Sequence, residues 1–304
     1  VELRKRGYPV TIFDSRPLGG GLNTYGIAEY KLRPADSLKE VDLVRSLGVE
    51  FRFGTTVGRD ISLEDLERDY AAIFLAIGLG PTGPLNIPGE NLSGVVDALR
   101  FIADYKTDRV IPLGRRVVVI GGGNTAIDAA NAAQRLGAEH VTLVYRRSER
   151  EMPAFSFEYD HSKLEGVHFE FQTQPIAIHP KPGGSGSVGS VECARIELGE
   201  PDHKGRRQPR LRDALTFHIE CDMVIPAIGQ SRFLDFLAGC RGIEVRDGSV
   251  AIDPETGRTS NPRYYAGGDC VNGGREVVDA VAEGKRAGMA MAESLQHLQE
   301  AQHG

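Results

Sequence analysis

The stretch Val117–Arg147, VVVIGGGNTAIDAANAAQRLGAEHVTLVYRR, decides the fold. Val117–Ile120 is a β-branched run, the pattern of a strand buried on both faces of a parallel sheet. Gly121-x-Gly123-x-x-Ala126 follows at once. The first glycine permits a tight turn, the second lets a pyrophosphate approach bare backbone, and Ala126 keeps the next helix close to the sheet. That helix is expected to run to about Leu136 and stop at Gly137 as a left-handed cap. Val141–Tyr145 is the second strand. A lone glycine pattern is weak evidence. Between two strands, opening a helix, within one unit of about 30 residues, it marks a dinucleotide site lined by Gly121, Gly123, Asn124 and Thr125.

The end of the second strand selects the dinucleotide. An acid about 20 residues past the glycines usually binds the ribose hydroxyls of NAD. This chain has Tyr145-Arg146-Arg147 there. Two guanidinium groups suit a 2′-phosphate, which a carboxylate would repel. NADPH is therefore expected over NADH, with Arg150 as a further phosphate candidate. The alternative is a solvated turn.

The same unit occurs twice. Arg6-Gly7-Tyr8-Pro9-Val10-Thr11-Ile12-Phe13-Asp14 repeats the order of Leu136–Tyr145: helix end, glycine, short turn, Val-Thr strand. The acid missing from the later copy is present here as Asp14. A second nucleotide site, preferring free ribose hydroxyls, is expected, with its glycine fingerprint upstream of Val1. Residue 1 is accordingly not expected to be the natural start of the protein.

The chain has 304 residues, which suggests about two domains, and is 40% hydrophobic, enough for large cores. A net charge of −6 gives no support to nucleic-acid or anionic-membrane binding. No apolar run approaches the ~20 residues of a membrane span. Cys193, Cys221, Cys240 and Cys270 form no C-x-x-C and read as reduced thiols of a cytoplasmic protein. The eight histidines are dispersed, and no residue is assigned to a metal.

Outward from the glycine motif, Gly19-Gly20-Gly21 could let a planar ligand lie against backbone. A helix over 34–47 would bury Leu38, Val41, Val44 and Leu47. Strands are expected at 71–77, ending in Ala76-Ile77-Gly78, at 167–173, at 191–198, and at 222–230. Ser148–Phe157 reads as a loop and Asp202–Arg212 as a basic hairpin tip. Near the C-terminus Gly267-Gly268-Asp269 sits at a strand end and places an acid beside a sugar-alcohol chain or a pyrophosphate. The helix starting near Glu276 would turn its N–H groups toward the same ligand.

These motifs, with GIAEYKL at 26–32, YRRSEREMPA at 145–154, AIGQ at 227–230 and AGGDC at 266–270, resemble the flavoproteins that bind two dinucleotides. The glutamate synthase small subunit and the electron-input module of dihydropyrimidine dehydrogenases are the nearest in pattern. The resemblance covers essentially the whole chain. It implies an α/β fold of two Rossmann-like, disulfide-oxidoreductase-like three-layer domains, one inserted in the other. FAD would be held by residues 1–84 and 230–304, and NADPH by an inserted domain at 85–229. The flavin residues it implies are Asp14, Gly20, Gly21, Leu22, Lys31, Val57, Gly78, Gly268, Asp269, Glu276, Val277 and Val278. Gly229 joins the NADPH set.

Hydride would pass from NADPH to FAD, and electrons would then pass singly through 4Fe-4S clusters, expected only in a region preceding residue 1. The partner would be a glutamate synthase large subunit or a dihydropyrimidine dehydrogenase catalytic subunit. Ala28 stands where the family usually has proline, and Arg33 is inserted in its usual Leu-Pro. No catalytic side chain is expected, because the flavin carries the chemistry. The rivals are a thioredoxin-reductase-like enzyme, a transhydrogenase or free-standing dehydrogenase, and a binding module that has lost its flavin.

Overall fold

A computed structural model describes residues 1–107, 109–184, 186–201 and 207–303. The chain divides into two compact units. The first comprises Val1–Gly20, Asp36–Gly80 and Ser231–Gly304, the second Gly21–Ala35 and Pro81–Gln230.

The second unit is built on a four-stranded parallel sheet in the order Met223–Pro226, Arg116–Ile120, His140–Val144, His168–Glu170. Arg116–Ile120 is an interior strand, in register with Val117 opposite Val141 on one side and Met223 on the other. Its side chains alternate between two cores. Val117 and Val119 join the alanine-rich face of helix Asn124–Arg135, including Ala126, Ala129, Ala130 and Ala133. Val118 and Ile120 join Ile178, Val191 and Cys193 of a three-stranded antiparallel sheet. Burying both faces explains why the run is continuously apolar, at about 1.5–3 kcal/mol per side chain. The helix ends where expected: Gly137 has φ +100° and its N–H bonds Gln134 O at 3.1 Å.

Four sequence expectations change here. The strand expected at 167–173 is two strands. His168–Glu170 closes the parallel sheet, and Thr173–Pro180 opens the antiparallel one. Gln172 turns the chain between them at φ +50°, held by its N–H to Arg147 O and by Thr173 N–H to Tyr145 O. The strand expected at 191–198 extends over Val188–Pro201 and pairs with Arg207–Glu220. Of the basic tip, 202–206 lie outside the described residues and 207–212 are strand. The expected loop 148–157 contains a 3-10 turn, Glu149–Glu151, closed by a Ser148–Glu151 capping box, and helix Ser156–Leu164 starts inside it.

The first unit carries two parallel pairs, Thr11–Asp14 with Glu50–Phe53 and Ile73–Leu75 with Tyr264–Ala266. Leu75, Tyr264, Ala266, Leu237, Cys240 and Cys270 form its main buried cluster. The strand expected at 71–77 pairs over only three residues, of which Leu75 is buried. Helix Pro34–Ser46 half-buries Leu38, Val41 and Val44 but leaves Leu47 exposed, beyond its last turn. Helix Val277–His303 packs Ala287 and Met291 on Tyr265. Among the described residues no helix is long and apolar enough to cross a membrane.

Gly121 lies at φ +151°, where an added Cβ would stand 2.3 Å from Ala227 O. A backbone carbonyl at a strand end cannot retreat. Gly121→Ala should therefore lower stability by about 3 kcal/mol, read as a shifted urea midpoint with an unchanged slope.

Candidate functional site

The second unit's site is the turn between strand Arg116–Ile120 and helix Asn124–Arg135. Gly121 N–H donates to Val144 O at 3.0 Å, and Ala227 N–H to Ile120 O at 2.7 Å, so the turn is tied to both neighbouring strands. Gly123 is the helix N-cap, and a Cβ there would meet nothing within 4 Å. The backbone thus faces open space at the positive end of a twelve-residue helix, the setting that suits a pyrophosphate.

Asn124 works on the protein itself. Its Oδ1 accepts from Phe155 N–H at 3.0 Å, while Ala154 N–H donates to Gly122 O at 3.2 Å. The segment after the arginines is thereby fastened to the glycine turn. Tyr145 completes the fastening: its hydroxyl donates to Glu151 O at 2.9 Å, and its ring lies where a Cβ on Gly122 would be, 2.5 Å away. Sequence reasoning passed over Gly122 and Tyr145. The available signal was a third consecutive glycine where the motif tolerates any residue.

Arg146 and Arg150 are exposed and Arg147 is half-buried. Arg147 Nε is buried without a hydrogen-bond partner. That nitrogen is enclosed by protein, so a phosphate oxygen would be met by the more accessible parts of the Arg146 and Arg147 guanidinium groups. Thr125 is half-buried in the first helical turn, and Gly229 (φ +112°) is exposed and accepts from Gly83 N–H at 2.8 Å.

The segment Gly21–Ala35 belongs to this same unit and is held by buried polar groups. Lys31 Nζ lies 2.6 Å from Asp128 Oδ1 and 2.7 Å from Glu158 Oε1, two carboxylates that are 5% and 7% exposed. Burial pulls the Lys31 pKa down, but the Asp128 charge and the hydrogen bonds to both carboxylates outweigh it, and the net direction is up. Tyr30 OH donates to Asp128 Oδ1 and accepts from Asn131 Nδ2, and Arg135 stacks 4.2 Å from its ring centroid. Ala28 N–H donates to Asp128 Oδ2 at 3.3 Å, a bond that the family's usual proline has no N–H to make. Lys106, buried, donates to Asn23 O at 2.9 Å and Ile27 O at 2.6 Å. Lys31, expected beside a flavin, thus has its ammonium engaged by two carboxylates. Gly21 caps a short helix from its exposed φ +54° position, with Leu22 half-buried behind it.

In the first unit Asp14 ends its strand half-buried and accepts from Arg16 N–H at 2.9 Å, leaving a carboxylate with room for further donors. Gly20, Gly78 and Gly268 all have positive φ, and Val57 is half-buried in a bridge to Ile61. Gly268 N–H donates to Glu283 Oε2 at 2.5 Å. Asp269 Oδ1 accepts from Arg275 N–H at 3.3 Å, folding the 273–275 turn against it. Glu276, Val277 and Val278 are exposed at the amino end of the last helix. Backbone freed for close approach, an acid at a strand end and uncovered valines at a helix start are a donor set and surface that fit a flavin dinucleotide.

The four cysteines are buried, and burial raises all four thiol pKa values, to about 12 for Cys193 and Cys221 and about 11 for Cys240 and Cys270. None is poised as a thiolate nucleophile.

This is the architecture of a two-dinucleotide oxidoreductase. The chain belongs to the pyridine nucleotide-disulphide oxidoreductase family, whose description it matches over residues 1–284. It is 42% identical over 299 residues to the NADP(+)-dependent formate dehydrogenase subunit beta of Moorella thermoacetica, covering 97% of this chain and 41% of that one. It is 36% identical over 301 residues to the glutamate synthase [NADPH] small chain of Escherichia coli K12, covering 94% of this chain and 63% of that one. The chain therefore spans about half the length of these curated relatives. Among solved structures, FprA of Mycobacterium tuberculosis in complex with NADPH shares the fold, with TM-score 0.75, 22% identity, and 97% of this chain and 79% of that one covered.

Two outcomes follow from the Gly21–Ala35 clamp. Lys31→Met leaves two buried carboxylates unpaired and should cost about 3–5 kcal/mol in urea unfolding. A loss below about 1 kcal/mol would show that the ion pairs do not hold the segment. Burial pushes the Lys106 pKa down from 10.5 to about 8. Between those values the unfolded chain binds more protons than the folded one, so stability rises with pH. Wild type should gain on Lys106→Met from pH 8 to 10.5, measured as a difference in unfolding free energy.

Proposed function

We propose that this chain is the electron-input module of a larger reductase, in which NADPH delivers hydride to FAD and the electrons leave singly through iron–sulfur clusters to a partner subunit of the glutamate synthase type. The observation that carries the donor assignment is the pair of guanidinium groups, exposed Arg146 and half-buried Arg147, at the strand end beside the glycine turn. That position holds an acid in NAD-selective sites. The relatives named above support a shared NADP-linked module, since both carry it in their names while their complexes differ.

In this reading Gly121, Gly123 and the N–H groups of Asn124 and Thr125 bind the NADPH pyrophosphate. Arg146 and Arg147 bind its 2′-phosphate, with Arg150 and Gly229 at the margins. The Tyr145–Glu151 and Asn124–Phe155 hydrogen bonds keep the arginine segment in place beside the turn. The flavin would be held by Asp14 at the ribose, by Gly20, Val57, Gly78, Gly268 and Asp269 along the backbone, and by Glu276–Val278 at the helix start. Lys31 acts in this reading by fixing its segment through Asp128 and Glu158. When bound, the flavin supplies the two-electron to one-electron conversion, which no side chain here performs. In this reading the flavin half is 1–84 with 230–304 and the NADPH half is 85–229, except that Gly21–Ala35, the stretch from Pro81, and Gln230 pack with the second unit.

The test is coenzyme selectivity of the flavin-loaded protein. Arg146→Ala with Arg147→Ala removes two charge-assisted contacts of about 1.5–3 kcal/mol each. The KM for NADPH should rise by one to several orders of magnitude, while that for NADH changes little. Equal effects on the two coenzymes would refute the phosphate assignment. Anaerobic NADPH that fails to bleach the flavin of wild type would refute the module itself.

A further inference from the structure

We propose that His179, Glu192 and His218 form a binding site for a divalent transition metal of the zinc type, on the antiparallel sheet of the second unit. The three residues come from three adjacent strands, Thr173–Pro180, Val188–Pro201 and Arg207–Glu220. Register puts them on one face. Glu192 lies directly opposite His218, and His179 lies opposite Ser190, two residues from Glu192. Ile178, Val191 and Cys193 occupy the other face, buried against Val118, Ile120 and Val144. The strands that carry the donors are therefore anchored, and the donors stand on the opposite, wetter side.

The donor atoms of all three lie within 4.8 Å of one another, and His179 Nε2 is already 2.8 Å from Glu192 Oε2. The two imidazole rings are 5.2 Å apart between centroids. Nitrogen and oxygen donors bind zinc at about 2.0–2.2 Å, so neighbouring donors around one ion sit about 3.4 Å apart. Half-buried His179 and Glu192 and exposed His218 can close a gap of this size by small rotamer changes. Neighbours already orient the ligands: the Ser190 hydroxyl bonds His218 Nδ1 at 3.2 Å, and Thr216 hydrogen bonds the Glu192 carboxylate. Such outer contacts are what set ligand orientation in metal sites.

Two imidazoles and one carboxylate select zinc, nickel, cobalt or copper over calcium and magnesium, which prefer all-oxygen shells. Three protein donors leave the remaining positions to water or to a group from another molecule. Bound, the ion ties three strands together. The other histidine–carboxylate pairs, His161 with Glu165, His168 with Glu170 and His297 with Glu300, each offer a single imidazole. Among the described residues only the sheet cluster gathers three donors.

The test uses the tag-free chain, stripped with chelator and titrated calorimetrically with zinc chloride, with calcium chloride as the control. Expected is one saturable zinc per chain, no calcium binding at the same concentrations, and a Tm that rises with zinc concentration. His179→Ala with His218→Ala should weaken zinc at least about tenfold, whereas His161→Ala with His168→Ala should leave it unchanged. Matching circular dichroism would show that both variants fold. Absence of saturable zinc binding by wild type, or equal affinity in the two double variants, overturns the site. Neither outcome depends on the dinucleotide reading, which is tested by coenzyme selectivity.

Discussion

Val117 and Val119 point into one core and Val118 and Ile120 into another, so strand Arg116–Ile120 has no face left for water. A strand so placed must lie inside its sheet, with a helical layer on one side and, in this unit, an antiparallel sheet on the other. Its carboxyl end is then fixed, and the turn that follows has to clear the neighbouring strand. Gly121 can do so because an added Cβ would meet the Ala227 carbonyl. The glycine turn is the consequence of that crowding: the chain leaves the sheet, enters a helix, and presents N–H groups at its start.

Around this turn the protein uses two kinds of fastening. Short-range contacts secure the arginine segment: Tyr145 against Gly122, Asn124 to Phe155, Ser148 to Glu151. They hold Arg147 half-buried beside exposed Arg146, so the two positive groups stand at a fixed place next to the turn. Gly21–Ala35 is secured by charge. Asp128 and Glu158 are buried and share the partly exposed Lys31 ammonium, so the desolvation of the two carboxylates is offset only while Lys31 is present. An apolar patch of similar size would hold the segment with less sensitivity to the identity of one residue.

The strand–glycine–helix–strand unit was legible because its signals are local: a β-branched run, three glycines, an alanine-rich helix, a Gly137 cap. The arginine pair was legible for the same reason, since its position is counted from the glycines. The split of 167–173 was not. Its alternation continues unbroken, and only the hydrogen bonds of Gln172 and Thr173 to Arg147 and Tyr145 turn the chain into another sheet. Lys31 was likewise opaque, because Asp128 and Glu158 come to it from helices far along the chain. The histidines looked scattered for the same reason. Pairing of three strands puts His179, Glu192 and His218 side by side.

The sequence by itself determined the fold class, the place of the glycine turn, the choice of arginine over an acid at the strand end, and the earlier repeat that ends in Asp14. These depend on residues close in the chain, whose spacing is set by strand and helix geometry. Tertiary structure alone decided that Gly21–Ala35 packs with the second unit and that Lys31 spends its charge on two carboxylates. It also decided that Gly122 makes room for a tyrosine ring and that three dispersed donors share one sheet face. Each of these is a meeting of distant segments, governed by strand register and by the need of buried polar groups for partners.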